Sequence, residues 1–303
     1  FRYLEQAREQ SPNFTVIDIT KSFYSELIRL FNQAGVNKVG VESDYLTYQQ
    51  FTTLNKKVGK IKFIPINGAV HNLRMIKELE EVALIKKSMH ILDKAFNHII
   101  GKLKPGVTEK EIALELEFFA RSEGAEEKAF PFIVASGPRS SLPHGTASNR
   151  VIQYGDLVTI DFGVVFNGYN SDMTRTIVIG KPDKKQKDIY NIVLEAQLVG
   201  LDKIRAGLKA SEIDNMVRTV IEQKGYGSYF GHSTGHGIGL EVHEKPRLSD
   251  SDETVLEDGM VVTVEPGIYI PKWGGVRIED TVLVQKTGCK ILCSSPKSTL
   301  IPV

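Results

Sequence analysis

Asp161 and Asp172 stand inside "TIDFGVVFNGYNSDMTRT" (159–176), a stretch that otherwise reads as a β-hairpin. A carboxylate buried there is costly unless something positive pairs with it. With Asn167-Gly168 as a two-residue I′ turn, Phe166 pairs with Tyr169 and Asp161 falls opposite Thr174. Asp172 then lies on the same face, a diagonal neighbour of Asp161 at roughly 7 to 8 Å. A second hairpin repeats the theme: "MVVTVEPGIYI" ends a strand at Glu265, and after a "KWGG" turn "VRIEDTVLV" carries Glu279. One such acid is readily a solvated-face residue, but four in apolar β context point to a shared site. Of seven histidines, four fall in "PHG" (His144) and "GHSTGHGIGLEVH" (His232, His236, His243). A lone histidine is more often a satisfied structural residue. A cluster in a Gly-rich loop, where backbone and ring can approach a ligand closely, favours a site.

Charge balance names the missing partner. The four acids bring about −4 and two divalent cations about +4, so coordination offsets burial. The spacing suits a metal pair roughly 3.5 to 4 Å apart. Without metal the acids repel one another, and several are expected to have raised pKa values. A water bridging two such ions is acidified to hydroxide near neutral pH, and a carbonyl held by one of them is polarised. That is hydrolytic chemistry, most naturally of an amide, with one carboxylate shuttling the proton.

Strands and helices must position these groups. From Thr15 to about Ile66, "TVIDIT", an amphipathic run Lys21–Gly35, "NKVGVES", a second run Tyr45–Val58 and "KIKFIPI" alternate as in a βαβ-type lobe with a mainly parallel sheet. The chain does not start with Met, and "FRYLEQA" reads as the middle of a strand and its following helix, so this lobe is expected to lack its beginning. A helical period starts beyond it, with Ile76, Leu79, Val82, Ile85, Met89, Leu92 and Phe96 on one stripe. The boundary is placed near residue 70, giving a partial N-terminal lobe (1–70) and a second domain (71–303).

That second domain repeats itself. "KLKPGVTEKEIALELEFFARSEGA" from Lys102 and "KIRAGLKASEIDNMVRTVIEQKGY" from Lys203 align without a gap from cap to cap. Thr108 with Glu111, and Ser211 with Asp214, read as capping signals, and Gly124 and Gly225 as left-handed C-caps. Longer helices precede each copy, Arg74 to about Leu103 and Lys184 to about Ile204. Any two capped amphipathic helices look somewhat alike, but the shared register favours two halves about a pseudo-two-fold axis. Their sheets are expected to form one curved surface with helices outside.

The motifs "PHG", "IDFG…SDMTRT", "GHSTGHGIGLEVHE", "VEPGIY" and "RIEDT", in this order and spacing, resemble the pita-bread metallopeptidases, most closely the Xaa-Pro branch of prolidase (Xaa-Pro dipeptidase) and aminopeptidase P. The resemblance covers about residues 70 to 300, and the preceding lobe resembles that branch's creatinase-type N-terminal domain. It implies an α+β fold: a C-terminal pita-bread domain with a pseudo-two-fold repeat and curved antiparallel sheet, preceded by a partial α/β lobe. It implies metal ligands at Asp161, Asp172, His236, Glu265 and Glu279, with Asp172 and Glu279 shared by both ions. It also implies that Glu265 takes the proton from the attacking metal-bridging hydroxide, that His243 stabilises the oxyanion, and that His144 sits beside substrate and leaving amine. His232 and Arg277 match substrate-side positions, Arg277 also pairing with an inner acid. The implied reaction is hydrolysis of the N-terminal bond of Xaa-Pro dipeptides or peptides with two divalent ions (manganese foremost; cobalt, zinc or iron as others), by a homodimer.

Three relatives compete. Methionine aminopeptidases share "GHGIG" but usually lack the N-terminal lobe and the Arg of "RIEDT". Creatinase keeps the fold without the metal ligands, whereas all five ligand types stand here. A pseudo-peptidase binding protein would typically lose ligands and gain charged tails. Composition bounds the rest. A net charge of +1 makes no case for nucleic acid or a membrane surface, and no apolar run nears the roughly 20 residues of a membrane span. Cys289 and Cys293 in "CKILC" lie beyond disulfide reach along an extended strand. With no charged-apolar-small leader opening the sequence, the expectation is a cytoplasmic protein.

Overall fold

The computed structural model describes residues 3–20 and 22–303. Phe1, Arg2 and Lys21, where the sequence places part of a strand and the start of an amphipathic run, lie outside the described residues. The chain divides into two compact units, 1–70 and 71–303.

In unit 1–70, helix Phe23–Gln33 precedes the strand Lys38–Glu42, and helix Tyr48–Val58 connects that strand to Lys62–Ile66, with which it pairs in parallel. Thr47 starts the second helix: its hydroxyl accepts from Gln50 N (3.2 Å), and the Gln50 side chain accepts from Thr47 N (2.9 Å). "TVIDIT" is not a strand. Its alternation is strand-like, but a strand exists by pairing, and among the described residues it has no ladder partner.

Unit 71–303 is built twice. The helices Glu109–Ser122 and Ala210–Gln223 have equal length and stand 101 residues apart at both ends. Gly106 N donates to Ile152 O and Gly207 N to Leu256 O, so the chain enters each helix the same way. Gly124 (φ +104°) and Gly225 (φ +83°) take the left-handed conformation at the exits. Ala125 N then reaches back to Ala120 O, and Tyr226 N to Ile221 O, as in a Schellman motif. The capping signal differs between copies. Thr108 and Glu111 form the expected box, but in the second copy Lys209 N donates to Glu212 (2.7 Å), while Ser211 and Asp214 lie inside the helix. The observed pair lies two residues before the expected one, and Asp214 is drawn inward by a loop described below.

The long helices Leu79–Ile100 and Lys184–Lys203 pack outside. The first does not begin at Arg74. Ile76 makes a β-bridge with Met260, and Lys77 N donates to Gly259 O, so the chain is extended there; Leu79 at the helix start is exposed. Of the predicted stripe Ile76 is also exposed and Val82 partly buried, while Ile85, Met89, Leu92 and Phe96 are buried and pack with Ile112, Leu116, Val158, Ile160 and Phe162. Ile189, Tyr190 and Val193 pack with Val217, Ile221, Ile268 and Val276 in the other half. Each such side chain is worth about 1.5–3 kcal/mol on burial. Among the described residues no helix is long and apolar enough to cross a membrane.

The strands form a four-stranded sheet (Ile301–Pro302, Met173–Val178, Leu157–Phe162, Ile133–Ser136) and a five-stranded one (Glu244–Leu248, Gly235–Gly237, Val261–Val264, Asp280–Gln285, Gly288–Ile291). One hairpin of each carries two of the acids, and each is broken where they sit. In the first, Asp161 pairs with Thr174 and Phe162 with Met173; the ladder stops, then resumes at Val165 with Asn170 and Phe166 with Tyr169. Asn167 and Gly168 both have positive φ, as an I′ turn requires. In the second, Val264 pairs with Asp280 and Gly267 with Arg277, so Glu265 and Glu279 stand opposite one another across the gap. The freed backbone groups stitch neighbours together: Glu265 N donates to Thr234 O (2.8 Å) and Glu279 N to Thr174 O (3.2 Å). The two sheets are thereby joined at the acids.

The first break depends on Gly163. A Cβ there would lie 2.1 Å from Ser171 O and 2.8 Å from the Phe130 ring. Gly163→Ala is expected to cost about 1–3 kcal/mol through forced backbone shifts. Thermal unfolding reads this directly, and an unchanged melting temperature would remove the close-approach account.

Candidate metal centre

A cavity of about 750 Å³ opens where the hairpins meet, and all nine residues singled out from the sequence line it: His144, Asp161, Asp172, His232, His236, His243, Glu265, Arg277 and Glu279. Asp172, His236 and Glu279 converge, each offering a ligand atom within 4.8 Å of the others. His236 Nε2 lies 3.6 Å from Asp172 Oδ2 and 3.4 Å from Glu265 Oε1. Asp161 is outside this tight group and is held by Arg277, whose Nη2 donates to its Oδ2 (2.5 Å).

The backbone explains the convergence. His236 lies in the short strand Gly235–Gly237, between the strands of Arg247 and Val262. A Cβ on Gly235 would meet Thr263 O at 2.0 Å, and one on Gly237 would meet Lys245 O at 2.3 Å. The flanking glycines therefore let three backbones close around the imidazole. Its Nδ1 donates to Gly237 O (3.0 Å), which leaves Nε2 as a bare lone pair facing the acids.

Burial, and then the His243 ring beside it, pull the His236 pKa down to about 3. The ring is neutral near pH 7. Burial pushes Asp172 and Glu279 well above the ordinary carboxylate range, and the surrounding acids push the same way. Glu265 is pushed up to about 8, again chiefly by burial. Burial opposes charge on Arg277 too, but Tyr269, Asp161 and Glu265 around it keep the guanidinium firmly protonated.

The residues fit a divalent cation site. Among the described residues, three buried side-chain oxygens have no hydrogen-bond partner: Asp161 Oδ1, Asp172 Oδ1 and Glu279 Oε1. Each such orphan is costly. An imidazole lone pair aimed at carboxylate oxygens without a donor between them is equally unsatisfied. A cation resolves both, and neutral imidazole with carboxylate oxygens is the donor set of manganese, iron, cobalt or zinc.

Arg277 is the hub around this centre. Besides Asp161, it donates to Tyr269 Oη (2.7 Å), Thr174 Oγ1 (3.0 Å) and Pro143 O (3.1 Å), next to His144. Thr174 Oγ1 in turn donates to Glu279 Oε2 (2.7 Å), and Tyr269 Oη lies 2.9 Å from His232 Nε2. The sequence reading missed Tyr269 and used Thr174 only as a register mark, although both sit inside quoted motifs. A phenol on an apolar strand gives no sign of a polar task until its neighbours are known. Also missed were Lys245, Arg247 and Asp252, which line the same cavity.

The loop carrying His243 is clamped. Asn170 donates from N (2.8 Å) and Nδ2 (3.1 Å) to Gly239 O. Glu244 accepts from Lys77 Nζ (2.9 Å), Glu241 N (3.1 Å) and the Arg74 guanidinium. Burial opposes charge on Glu244, but Lys77 and Arg74 win and hold it below the usual carboxylate range. The His243 ring packs edge-on to His236, centroids 4.4 Å apart, and burial lowers its pKa.

This chain resembles known proteins over both units. Residues 83–286 match metallopeptidase family M24 and residues 1–76 the creatinase/prolidase N-terminal domain. A Xaa-Pro dipeptidase of Pyrococcus horikoshii is 46% identical over 298 residues, covering 98% of this chain and 83% of that one. The structure of a Xaa-Pro dipeptidase from Bacillus anthracis superposes with a TM-score of 0.96 at 50% identity, covering 100% of this chain and 85% of that one. An X-Pro aminopeptidase from Thermotoga maritima gives 0.93 at 41%, covering 100% and 86%.

Two measurements check the electrostatics. Adding Mn²⁺ to chelator-treated protein is expected to stabilise it by about 2.7 kcal/mol at a free-ion concentration 100 times Kd. Asp172→Asn should remove most of that response, and an equal response in the variant would displace Asp172 from the centre. Glu244 has a depressed folded pKa, so its contribution is complete above the unfolded value near ~4.3 and is lost as pH falls through the folded value. Glu244→Gln should therefore flatten the acid limb of the stability profile, and a parallel profile in the variant would contradict the clamp.

Proposed function

The chain belongs to metallopeptidase family M24, and on that premise we propose that it is an exopeptidase hydrolysing the bond before proline in Xaa-Pro dipeptides or short peptides. The observation that carries the reading is the set of unpartnered buried oxygens on Asp161, Asp172 and Glu279 beside a bare His236 Nε2. In this proposal Asp161, Asp172, His236, Glu265 and Glu279 hold two divalent ions, manganese foremost. Such a pair supplies acidified water and polarises the scissile carbonyl.

The protein's own groups do the rest. Glu265, whose burial gives it a raised proton affinity, accepts the proton of the attacking water and passes it toward the leaving amine. His243, which lines the cavity, donates a hydrogen bond to the carbonyl oxygen as charge develops there. His144 stands beside the leaving amine. His232 and Arg277 orient the proline side of the substrate, Arg277 being fixed in place by Asp161, Tyr269 and Thr174. The named relatives include both a Xaa-Pro dipeptidase and an X-Pro aminopeptidase, which supports proline selection and spans both peptide lengths. A cytoplasmic setting and a homodimer belong to the same proposal, and two free cysteines fit a reducing compartment.

Ala-Pro, Ala-Pro-Ala and Met-Ala-Ser, assayed with Mn²⁺ and with Co²⁺, test the reading. Turnover is expected on the proline peptides, and cleavage of Met-Ala-Ser alone would overturn it. Glu265→Gln is expected to lower kcat by about 10²–10⁴-fold, and a wild-type rate in that variant would remove the proton-transfer role.

A further inference from the structure

Two carboxylates outside the metal centre are fully buried and belong to corresponding helices of the internal repeat: Glu109, the first residue of Glu109–Ser122, and Asp214, in the second turn of Ala210–Gln223. Each grips the loop that carries one of the cavity histidines. Glu109 Oε1 accepts from Ser136 N and Oγ (both 2.8 Å), and its Oε2 accepts from Ser148 N (3.0 Å), Ser148 Oγ (2.6 Å) and the Arg139 guanidinium. Arg139 also donates to Thr146 O (2.9 Å), so the loop containing His144 is tied on both sides to a single carboxylate. Asp214 Oδ1 accepts from Thr234 N (3.0 Å) and Oγ1 (2.8 Å), and both Asp214 oxygens accept from Arg218 (2.9 Å each). Arg218 turns its remaining donors to Phe230 O and His232 O, both at 2.9 Å.

The loops converge on one group. Pro143 O, next to His144, and Tyr269 Oη, bonded to His232, both accept from Arg277 Nη1. A guanidinium is a rigid fork, so its aim at Asp161 and at the substrate depends on where those two acceptors stand. Neither carboxylate touches the metal ligands or reaches the cavity lining.

Resting on the proline-selective reading above, we propose that Glu109 and Asp214 are positioning residues, one from each half of the repeat. Through the His144 and His232 loops they set the orientation of Arg277 and with it substrate affinity. Glu109 acts through Pro143. Asp214 acts through Arg218, His232 and Tyr269.

The test compares Glu109→Gln and Asp214→Asn in the full chain, with Ala-Pro as substrate, bound metal per chain, and the ring signals of ¹⁵N-labelled histidines. Each variant is expected to raise KM about 10- to 100-fold with kcat changed less than about threefold and metal content unchanged. The His232 signals should shift or broaden in Asp214→Asn and the His144 signals in Glu109→Gln, with His236 unmoved. Where Asp214→Asn does not fold, Arg218→Lys keeps the charge but loses the fork to the two carbonyls, and the same rise in KM is expected. Wild-type KM and ring signals in folded variants would overturn the proposal, as would a joint fall of kcat, metal content and melting temperature, the mark of a purely structural role. If the unaltered protein cleaves no proline peptide, the functional reading fails, and the ring signals still decide the positioning.

Discussion

Four carboxylates share one buried cavity, and among the described residues the cation in direct ion-pair contact with them is Arg277, on Asp161. Burial raises the proton affinity of Asp172, Glu265 and Glu279, and repulsion among the acids adds to it. Hydrogen bonds from Arg277 and Thr174 relieve the conflict in part, and three oxygens are left bare. Such an arrangement persists when the fold is stable enough to impose it and a ligand of opposite charge repays it.

The fold imposes it by giving up ladder hydrogen bonds where the acids stand. Pro266 after Glu265 has no N–H to contribute, and Gly163 lets the first hairpin pass close to its own return strand. The amides of Glu265 and Glu279 instead bond to the histidine loop and to the other hairpin. The acids are thus held on backbone junctions rather than on freely swinging side chains, which favours the pre-organisation that metal binding and hydrolysis require. The two helical layers stand behind those junctions and bury their apolar stripes against the strands.

Repetition has left the halves similar in path and unlike in chemistry. The entry to each short helix, its length and its glycine exit correspond, yet the buried acid sits at the helix start in one copy and a turn later in the other. Asp214 mimics a capping acid in sequence because acids three residues after Ser or Thr are the usual signal. Its true partners, Thr234 and Arg218, are a loop and a helical turn away. Leu79 misled in a similar manner: period alone placed it on the core stripe, but the extended segment before it, tied to Gly259, turns it outward.

The sequence alone determined the hairpin register, since an Asn-Gly turn and a period of two leave one way to align Asp161 with Thr174. It also determined the repeat and the identity of the acids and histidines, because residue type and spacing are local properties. Only the tertiary structure decided that Arg277 is linked to both histidine loops, to one through Pro143 and to the other through Tyr269, that Thr174 also holds it, and that Glu109 and Asp214 are buried. Each of those facts depends on which distant backbone atom lies within about 3 Å, a distance that no periodicity along the chain encodes.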